Sequence, residues 1–387
     1  MQKLRGITVD NGGSEIRVLP DDTTCNIYKW RNDVVQIEEK NFRPKDVESP
    51  ECVVRIVNAT DRSFCGLYAS GATGHAYDGK ELRISSQETK TGSDNFYKEF
   101  IYAVALDSYN ARIKDLANGI QRCGAKGNRD SKDTVYDYAI VACIPIKEFN
   151  GIEDCPRILK SRIAGDYEVE FPLVSGSPVI RFNISEERTG VVAEGGVTMT
   201  ALKGAVGEDD ISLIVDMGHI TTDIAIFEGK NLKGKVASPG YAGSTLAGNI
   251  RAHLAEMGIV VSDDKIQRVL ETGKARKGAT EIDVSDVIAE EADMFVKNYL
   301  KMEVIGVLNR NALDATQVQN FIPLGAPMTP DSNGRNVIQE AIIRECRLSD
   351  ARVQLLEEDL RYVNIRSAAR FTRKLVNMFR SKYAEVV

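Results

Sequence analysis

The residues with the clearest capacity for chemistry are two aspartates, far apart in the chain, that each end a short apolar run and open a glycine-bearing turn. Near the N-terminus Ile7-Thr8-Val9 leads into Asp10-Asn11-Gly12-Gly13-Ser14-Glu15-Ile16-Arg17. Past the middle, the apolar run 211–215 leads into Asp216-Met217-Gly218-His219-Ile220-Thr221-Thr222-Asp223-Ile224. Glycines let backbone N–H groups approach phosphate oxygens closely, and Ser or Thr hydroxyls add further donors. Two carboxylates would repel the polyphosphate, by about 4 kcal/mol for charges ~4 Å apart at an effective dielectric near 20. A divalent cation removes that conflict. Magnesium, which takes carboxylate and phosphate oxygens and keeps several waters, is the expected ion. Asp10 and Asp216 are therefore expected to hold Mg2+, directly or through water. One such turn is equally well a plain hairpin whose Asp bonds its own backbone; a matched pair points to a duplicated phosphate clamp.

Each clamp has to sit between two strands, and the surrounding pattern supplies them. Residues 1–20 read as a hairpin around the first turn. Short β-rich runs such as 52–57, separated by Gly, Asp and Ser turns, then form a small insert. A helix is expected from Asp94, because Phe96, Phe100, Ile101, Val104 and Ala105 recur at helical spacing. A buried strand is expected at 138–144, β-like stretches at 167–171 and 178–184, and a helix from Glu194 to about Gly204. Residues 204–210, small and turn-prone, are the expected linker. The second half opens with the second turn, then a helix over 245–257, helical patterns over 263–314, a strand at 318–323 and a helix at 337–347. Two halves that each begin strand, clamp, strand imply a duplicated α/β unit.

Composition narrows the alternatives. The chain has 387 residues, 43% of them hydrophobic and 27% charged, with a formal charge of −6. That length fits two domains. The net charge gives no general attraction to nucleic acid or anionic lipid, so sequence-specific nucleic-acid binding and a membrane role are not expected. Seven scattered cysteines without CxxC spacing argue against a disulfide framework or zinc site, and with no signal peptide or long apolar run the expected compartment is the cytoplasm. No GxxxxGK[ST] element is present, and Gly240-Tyr241-Ala242-Gly243 does not complete a dinucleotide fingerprint.

The two turns resemble the phosphate 1 and phosphate 2 loops of the actin, sugar-kinase and heat-shock chaperone superfamily. Asp-Asn-Gly-Gly-Ser-Glu-Ile-Arg is very similar to actin's first loop, with Arg17 at its basic position, while the second loop carries His219 and Ile220 where bacterial members commonly have Gly and Thr. Further segments come in the superfamily's order. Val191-Val192-Ala193-Glu194-Gly195-Gly196 resembles the segment that supplies the catalytic side chain. Phe321-Ile322-Pro323-Leu324-Gly325-Ala326-Pro327-Met328 resembles the adenosine loop, with Leu324 in place of its first glycine. Tyr362-Val363-Asn364-Ile365-Arg366-Ser367-Ala368-Ala369-Arg370-Phe371 resembles the second connecting segment, in the Asn-x-Arg form of plasmid-segregating actins.

The resemblance implies an α/β fold of actin-like duplicated domains with a nucleotide cleft between them, each carrying a smaller insert. Domain I would be 1–206, with an insert at about 22–92, completed by 365–387; domain II would be 207–364, with a helical insert at about 246–317. It implies ATP and Mg2+ as cofactors. Catalysis would fall to Asp10, Asp216 and Glu194, the last orienting or partly deprotonating the attacking water; a structural alternative is a helix-start glutamate favoured by the macrodipole. Nucleotide would be bound by Asn11, Gly12, Gly13, Ser14 and Arg17, by Gly218, His219, Thr221 and Thr222, and by Gly325, Ala326 and Met328. The residues themselves are compatible with adenine or guanine, and Asp223 with loop support or a plain strand end.

The function implied is that of a ParM-type ATPase, assembling head to tail with itself and served by a DNA-binding adaptor of the ParR type in plasmid segregation. A non-polymerising nucleotide-sensing scaffold and a small-molecule kinase are the alternatives. The basic segment 361–383, with Phe371, Leu375, Met378 and Phe379 on one helical face, reads as a docked terminal helix with a solvated basic face; a membrane-surface helix and a local contact with nucleic acid or an adaptor are the other options.

Overall fold

The first aspartate-ended run forms one arm of a hairpin. Strand β1 (Gln2–Asn11) lies antiparallel to β2 (Glu15–Pro20), with Asp10 opposite Arg17. A computed structural model describes residues 2–12, 15–23, 26–77, 79–82, 89–118, 135–202, 204–330, 334–356 and 359–384. The chain divides into two compact units, residues 1–194 with 364–387 and residues 195–363.

Unit 1 continues with β3 (Tyr28–Arg31), β4 (Val35–Ile37), β5 (Val54–Ala59), β6 (Gly66–Ala69) and β7 (Gly79–Glu81). The short helix α1 (Gly71–His75) lies between β6 and β7. Beyond them come α2 (Asp94–Ala117), β8 (Val135–Ile144), α3 (Ile146–Gly151), α4 (Cys155–Ile163), β9 (Gly165–Glu170) and β10 (Val179–Ala193). The ten strands form one sheet in the order β3-β2-β1-β8-β10-β9-β5-β6-β4-β7, with β1, β8 and β10 mutually parallel. Strands β4 to β7 therefore extend the main sheet through the β5–β9 pairing.

Helix α2 begins where its apolar spacing predicts, and Phe96, Phe100, Ile101, Val104 and Ala105 are all buried in the main core of unit 1. It also buries three acids that the spacing of apolar residues does not reveal. Glu99, Asp107 and Asp115 meet Asn11, Arg5 and Lys3 of β1 in turn. Asp107 takes the Arg5 guanidinium through two nitrogens and a 2.9 Å hydrogen bond from Tyr138 Oη. Burial alone would lower the Arg5 pKa, but Asp107 outweighs it and raises it further.

Unit 2 repeats the plan of the first sheet. Its strands are β11 (Ile211–Met217), β12 (Thr222–Glu228), β13 (Asn231–Leu232), β16 (Asn320–Leu324) and β17 (Arg352–Val353), with β14 (Lys274–Lys277) and β15 (Thr280–Asp283) forming a separate hairpin. The order β13-β12-β11-β16-β17 matches β3-β2-β1-β8-β10 strand for strand, in pairing direction as well as position. Helices α5 (Gly243–Glu256), α6 (Asp263–Thr272), α7 (Ser285–Phe295), α8 (Lys301–Arg310) and α9 (Val337–Glu345) complete the unit, α7 and α8 joined by a π turn at Val296–Leu300.

Helix α10 (Val363–Ala384) then packs in unit 1, where Thr372 Oγ1 lies 2.7 Å from Thr8 Oγ1. Its buried residues include Ile365, Ala368, Thr372, Val376 and Phe379; Phe371 and Met378, expected beside Phe379, are exposed, Met378 at 69%. The helix expected from Glu194 to Gly204 is absent. Strand β10 keeps its parallel pairing with β8 up to Ala193, and Glu194 N–H donates to Ile144 O at 2.7 Å. Gly195 then takes a positive φ of 71°, and only a short 3-10 turn, Gly196–Thr200, comes after it.

Among the described residues no helix is long and apolar enough to cross a membrane, and the five cysteines described are all free; Cys25 and Cys123 lie outside them. Replacing Asp107 with Ala would strand the buried Arg5 charge, so the variant should lose about 3–5 kcal/mol of stability. Urea unfolding measures this, and a loss under about 1 kcal/mol would contradict the buried-pair account.

Candidate functional site

In unit 1 the carboxyl ends of the parallel strands gather the charged residues. Asp10, near the end of β1, is opposite Cys143 of β8, which is in turn opposite Val192 of β10, two residues before Glu194. Asp10 is buried and takes a 3.2 Å hydrogen bond from Arg17 Nη1; Arg17 Nε reaches Glu15 at the same distance. Lys90 Nζ donates to Glu194 Oε1 at 3.0 Å. Burial would lower the Lys90 pKa, but the fields of Glu194 and Asp10 prevail and raise it, so the site holds a fixed cation. Burial and the same two acids push the Cys143 thiol well up, which makes it an inert neutral group.

The first turn is tight: Gly12 N–H donates to Glu15 O at 3.0 Å, while Gly13 and Ser14 lie outside the described residues. The Asn11 side chain points into the protein. Its Nδ2 donates to Glu99 Oε2 at 2.9 Å and its Oδ1 accepts from Asn32 Nδ2 at 3.0 Å. Asn32 Nδ2 also reaches Gly12 O at 2.6 Å. Burial pushes the Glu99 carboxyl up to about 8, against the lowering effects of Asn11, Lys90 and Asn32. A neutral acid thus underlies the turn at neutral pH.

Unit 2 holds the second turn. Asp216, on β11, is opposite Asp223 of β12 and Leu324 of β16. Gly218 N–H donates to Thr221 O at 3.0 Å, the same bond that closes the first turn. His219 is exposed at the tip, and partial desolvation lowers its imidazole pKa, leaving it neutral. Thr222 is fully buried: its hydroxyl donates to Tyr241 O at 2.6 Å and its N–H to Pro239 O at 3.1 Å. Gly243 N–H and Ser244 N–H, at the start of α5, cap Gly218 O and His219 O.

Two further glycines close in on this corner. Gly325, at the end of β16, has φ +93°, and a Cβ there would overlap Met217 O. A Cβ on Gly195, the first residue of unit 2, would lie 4.0 Å from Asp216 Oδ2. The 3-10 turn Ala326–Met328 comes directly after Gly325, with Met328 buried and its carbonyl held by Gln339, while Asn336 caps α9 and holds Pro327 O and Thr329 O.

In each unit, then, an acid closes a buried strand beside a tight glycine turn. Lys90, Glu99, Asn32 and Glu148 join unit 1's group without a motif to announce them. Among the described residues no three His, Cys, Asp or Glu side chains converge as a metal cage. The donors are carboxylates, which suit a hard cation completed by water and phosphate oxygens.

No protein-family profile and no curated protein sequence matches the chain. Solved structures do. The actin-like protein Alp7A aligns over 100% of both chains at 14% identity, with a TM-score of 0.71. ParM of Bacillus thuringiensis with AMPPNP aligns over 96% of this chain and 99% of its own at 14% identity, TM-score 0.61. A 15-stranded ParM filament from Clostridium botulinum aligns over 97% and 100% at 14% identity, TM-score 0.57.

Since Glu99 stays protonated in the folded chain up to about pH 8 but ionises near 4.5 when unfolded, its contribution is intact below 4.5 and lost as pH rises to 8. Glu99→Gln should therefore be more stable than the wild type at pH 8.5, by on the order of 3–5 kcal/mol, and nearly equal to it at about pH 4.5. Urea titrations across that range read the difference, and parallel curves would refute it. Gly325→Val should destabilise unit 2 by roughly 2 kcal/mol or more, because the backbone region and the space are both closed to a side chain.

Proposed function

We propose that this chain, which has the two-domain actin-like fold, is a filament-forming ATPase that binds one Mg-ATP with the acid-ended turns of both units. The observation that carries the reading is the internal duplication: the same five-strand plan occurs twice, each time ending its first strand in an aspartate and a glycine turn. Ligands of α/β sheets gather at the carboxyl ends of strands, where these residues lie. The named relatives, a ParM with AMPPNP and a ParM filament, support nucleotide binding and self-association as the first activities to test.

In this reading Gly12, Gly13, Ser14 and Arg17 from one turn, and Gly218, His219 and Thr221 from the other, face the phosphates. Asn11 and Thr222 hold their turns from behind. Gly325, Ala326 and Met328 border the nucleoside. Asp10 and Asp216 hold Mg2+, which when bound neutralises phosphate charge. Glu194 orients the attacking water and accepts its proton. Nucleotide-dependent self-association is head to tail, a non-closing interface that generates filaments. Plasmid DNA segregation with a ParR-type adaptor, in the cytoplasm, is the cellular task proposed by resemblance.

A second reading, a nucleotide-sensing scaffold that does not polymerise, is favoured by one feature. The outward face of α10 combines the exposed Arg373 and Lys374 with the exposed Phe371 and Met378.

Mg-ATP at about a hundredfold excess over its Kd should stabilise the protein by about 2.7 kcal/mol. Asp10→Ala and Asp216→Ala should abolish that gain. Glu194→Gln should bind ATP normally and release phosphate about 100-fold more slowly. Pelleting and electron microscopy with ATP and without nucleotide test assembly: a protein that stays monomeric in both, but floats with anionic vesicles through residues 361–387, would replace the filament reading with the scaffold. Absence of binding to every Mg-nucleotide would overturn both.

A further inference from the structure

Lys90 pairs directly with Glu194, and the protein fixes its backbone with unusual thoroughness. The turn Lys90–Gly92 is closed by Thr89, whose side chain accepts from Gly92 N–H at 3.1 Å. Glu148, buried on α3, accepts Lys90 N–H at 2.6 Å, Thr91 N–H at 2.9 Å and the Thr91 hydroxyl at 2.8 Å. Tyr97 of α2 donates to Thr91 O at 2.8 Å. The Lys90 ammonium takes no part in any of these bonds. It reaches instead across to Glu194, 3.0 Å away, with the two side chains only 18% and 14% exposed.

An ion pair this buried is weak evidence for a stabilising role, because desolvation offsets most of the attraction. Here the turn is already held without the charge, so stability gives no reason for a lysine. The position does. Glu194 leaves β10 on a backbone bond to Ile144 O, with Gly195 at positive φ immediately after it, and the Lys90 ammonium bonds the carboxylate at the point where the chain leaves the strand.

We infer that Lys90 is a positioning residue: it holds the Glu194 carboxylate aimed, and it acts on hydrolysis through Glu194 instead of by binding nucleotide. This rests on the reading of Glu194 as the residue that orients water. It gives the segment leading out of the small insert a direct hold on the hydrolytic group, complementing Asn32, which holds Gly12 O at 2.6 Å near the insert's beginning. The insert is thereby tied at both ends to parts of the site.

The test is a double-mutant cycle on the full-length chain, with Lys90→Met, Lys90→Arg, Glu194→Gln and Lys90→Met/Glu194→Gln. Wild-type Mg-ATP binding and phosphate release are measured first; if both are absent, the proposed function falls and this inference with it. With an active wild type, Lys90→Met should lower kcat for phosphate release by about 10- to 100-fold. Its nucleotide Kd should change less than about threefold; because the change leaves the Glu194 carboxylate unpaired, its stability falls as well, so kcat is read well below its melting temperature and compared with the double variant, which carries no such charge. Lys90→Arg should recover most of kcat. In the Glu194→Gln background, Lys90→Met should cost less than about threefold further, because the two residues act as one. A kcat unaffected by Lys90→Met, an equal loss in both backgrounds, a loss confined to Kd, or a Lys90→Arg variant that folds but recovers none of the lost kcat would each overturn the inference while leaving the ATPase reading in place.

Discussion

The surroundings of a carboxylate that ends a buried strand begin with the residue across its hairpin, and the two versions of this hairpin differ there. In unit 1 the residue across from Asp10 is Arg17, 3.2 Å away, and the Lys90 ammonium adds its field. In unit 2 the residue across from Asp216 is Asp223, so the same position holds a second carboxyl group. One backbone plan thus carries two electrostatic characters. The first half is preset by its own cations. The second carries two carboxyl groups across its hairpin instead of an acid and a base.

The fold class was legible because its signals are local or ordered. Each acid-glycine turn is flanked by strand-forming residues, and both became hairpins. The apolar spacing from Phe96 to Ala105 placed α2, and the order of the five segments pointed to the actin-like plan that the solved structures share. Glu194 resembles a helix start by sequence and is not one. Its neighbours Gly195 and Gly196 carry no β or α preference strong enough to outweigh the parallel ladder that holds the chain extended to Ala193. Phe371 and Met378 mislead in another way: helical spacing identifies a face, but which face is inward depends on Gly6 and Thr8 of β1, distant in sequence.

Least legible were the polar supports. Lys90, Glu148, Glu99 and Asn32 belong to no motif, and they meet their partners across sequence separations that no local pattern encodes. Glu99, Asp107 and Asp115 would pass for the solvated face of an amphipathic helix. In the structure they are buried acids of α2, matched one by one to β1. That matching explains why α2 is buried on nearly every side while still carrying charge.

Strand β1 faces two clients at once. Lys3, Arg5 and Asn11 meet the acids of α2, whereas Gly6 and Thr8 meet Val376 and Thr372 of α10. Successive residues of a strand point to opposite sides, so deleting or adding a single residue anywhere along it would present methylene and hydroxyl groups to the acids and a guanidinium to the apolar helix. Evolutionary drift in this protein can lengthen loops and reshape the insert, but the spacing between Lys3 and Asn11 is closed to indels.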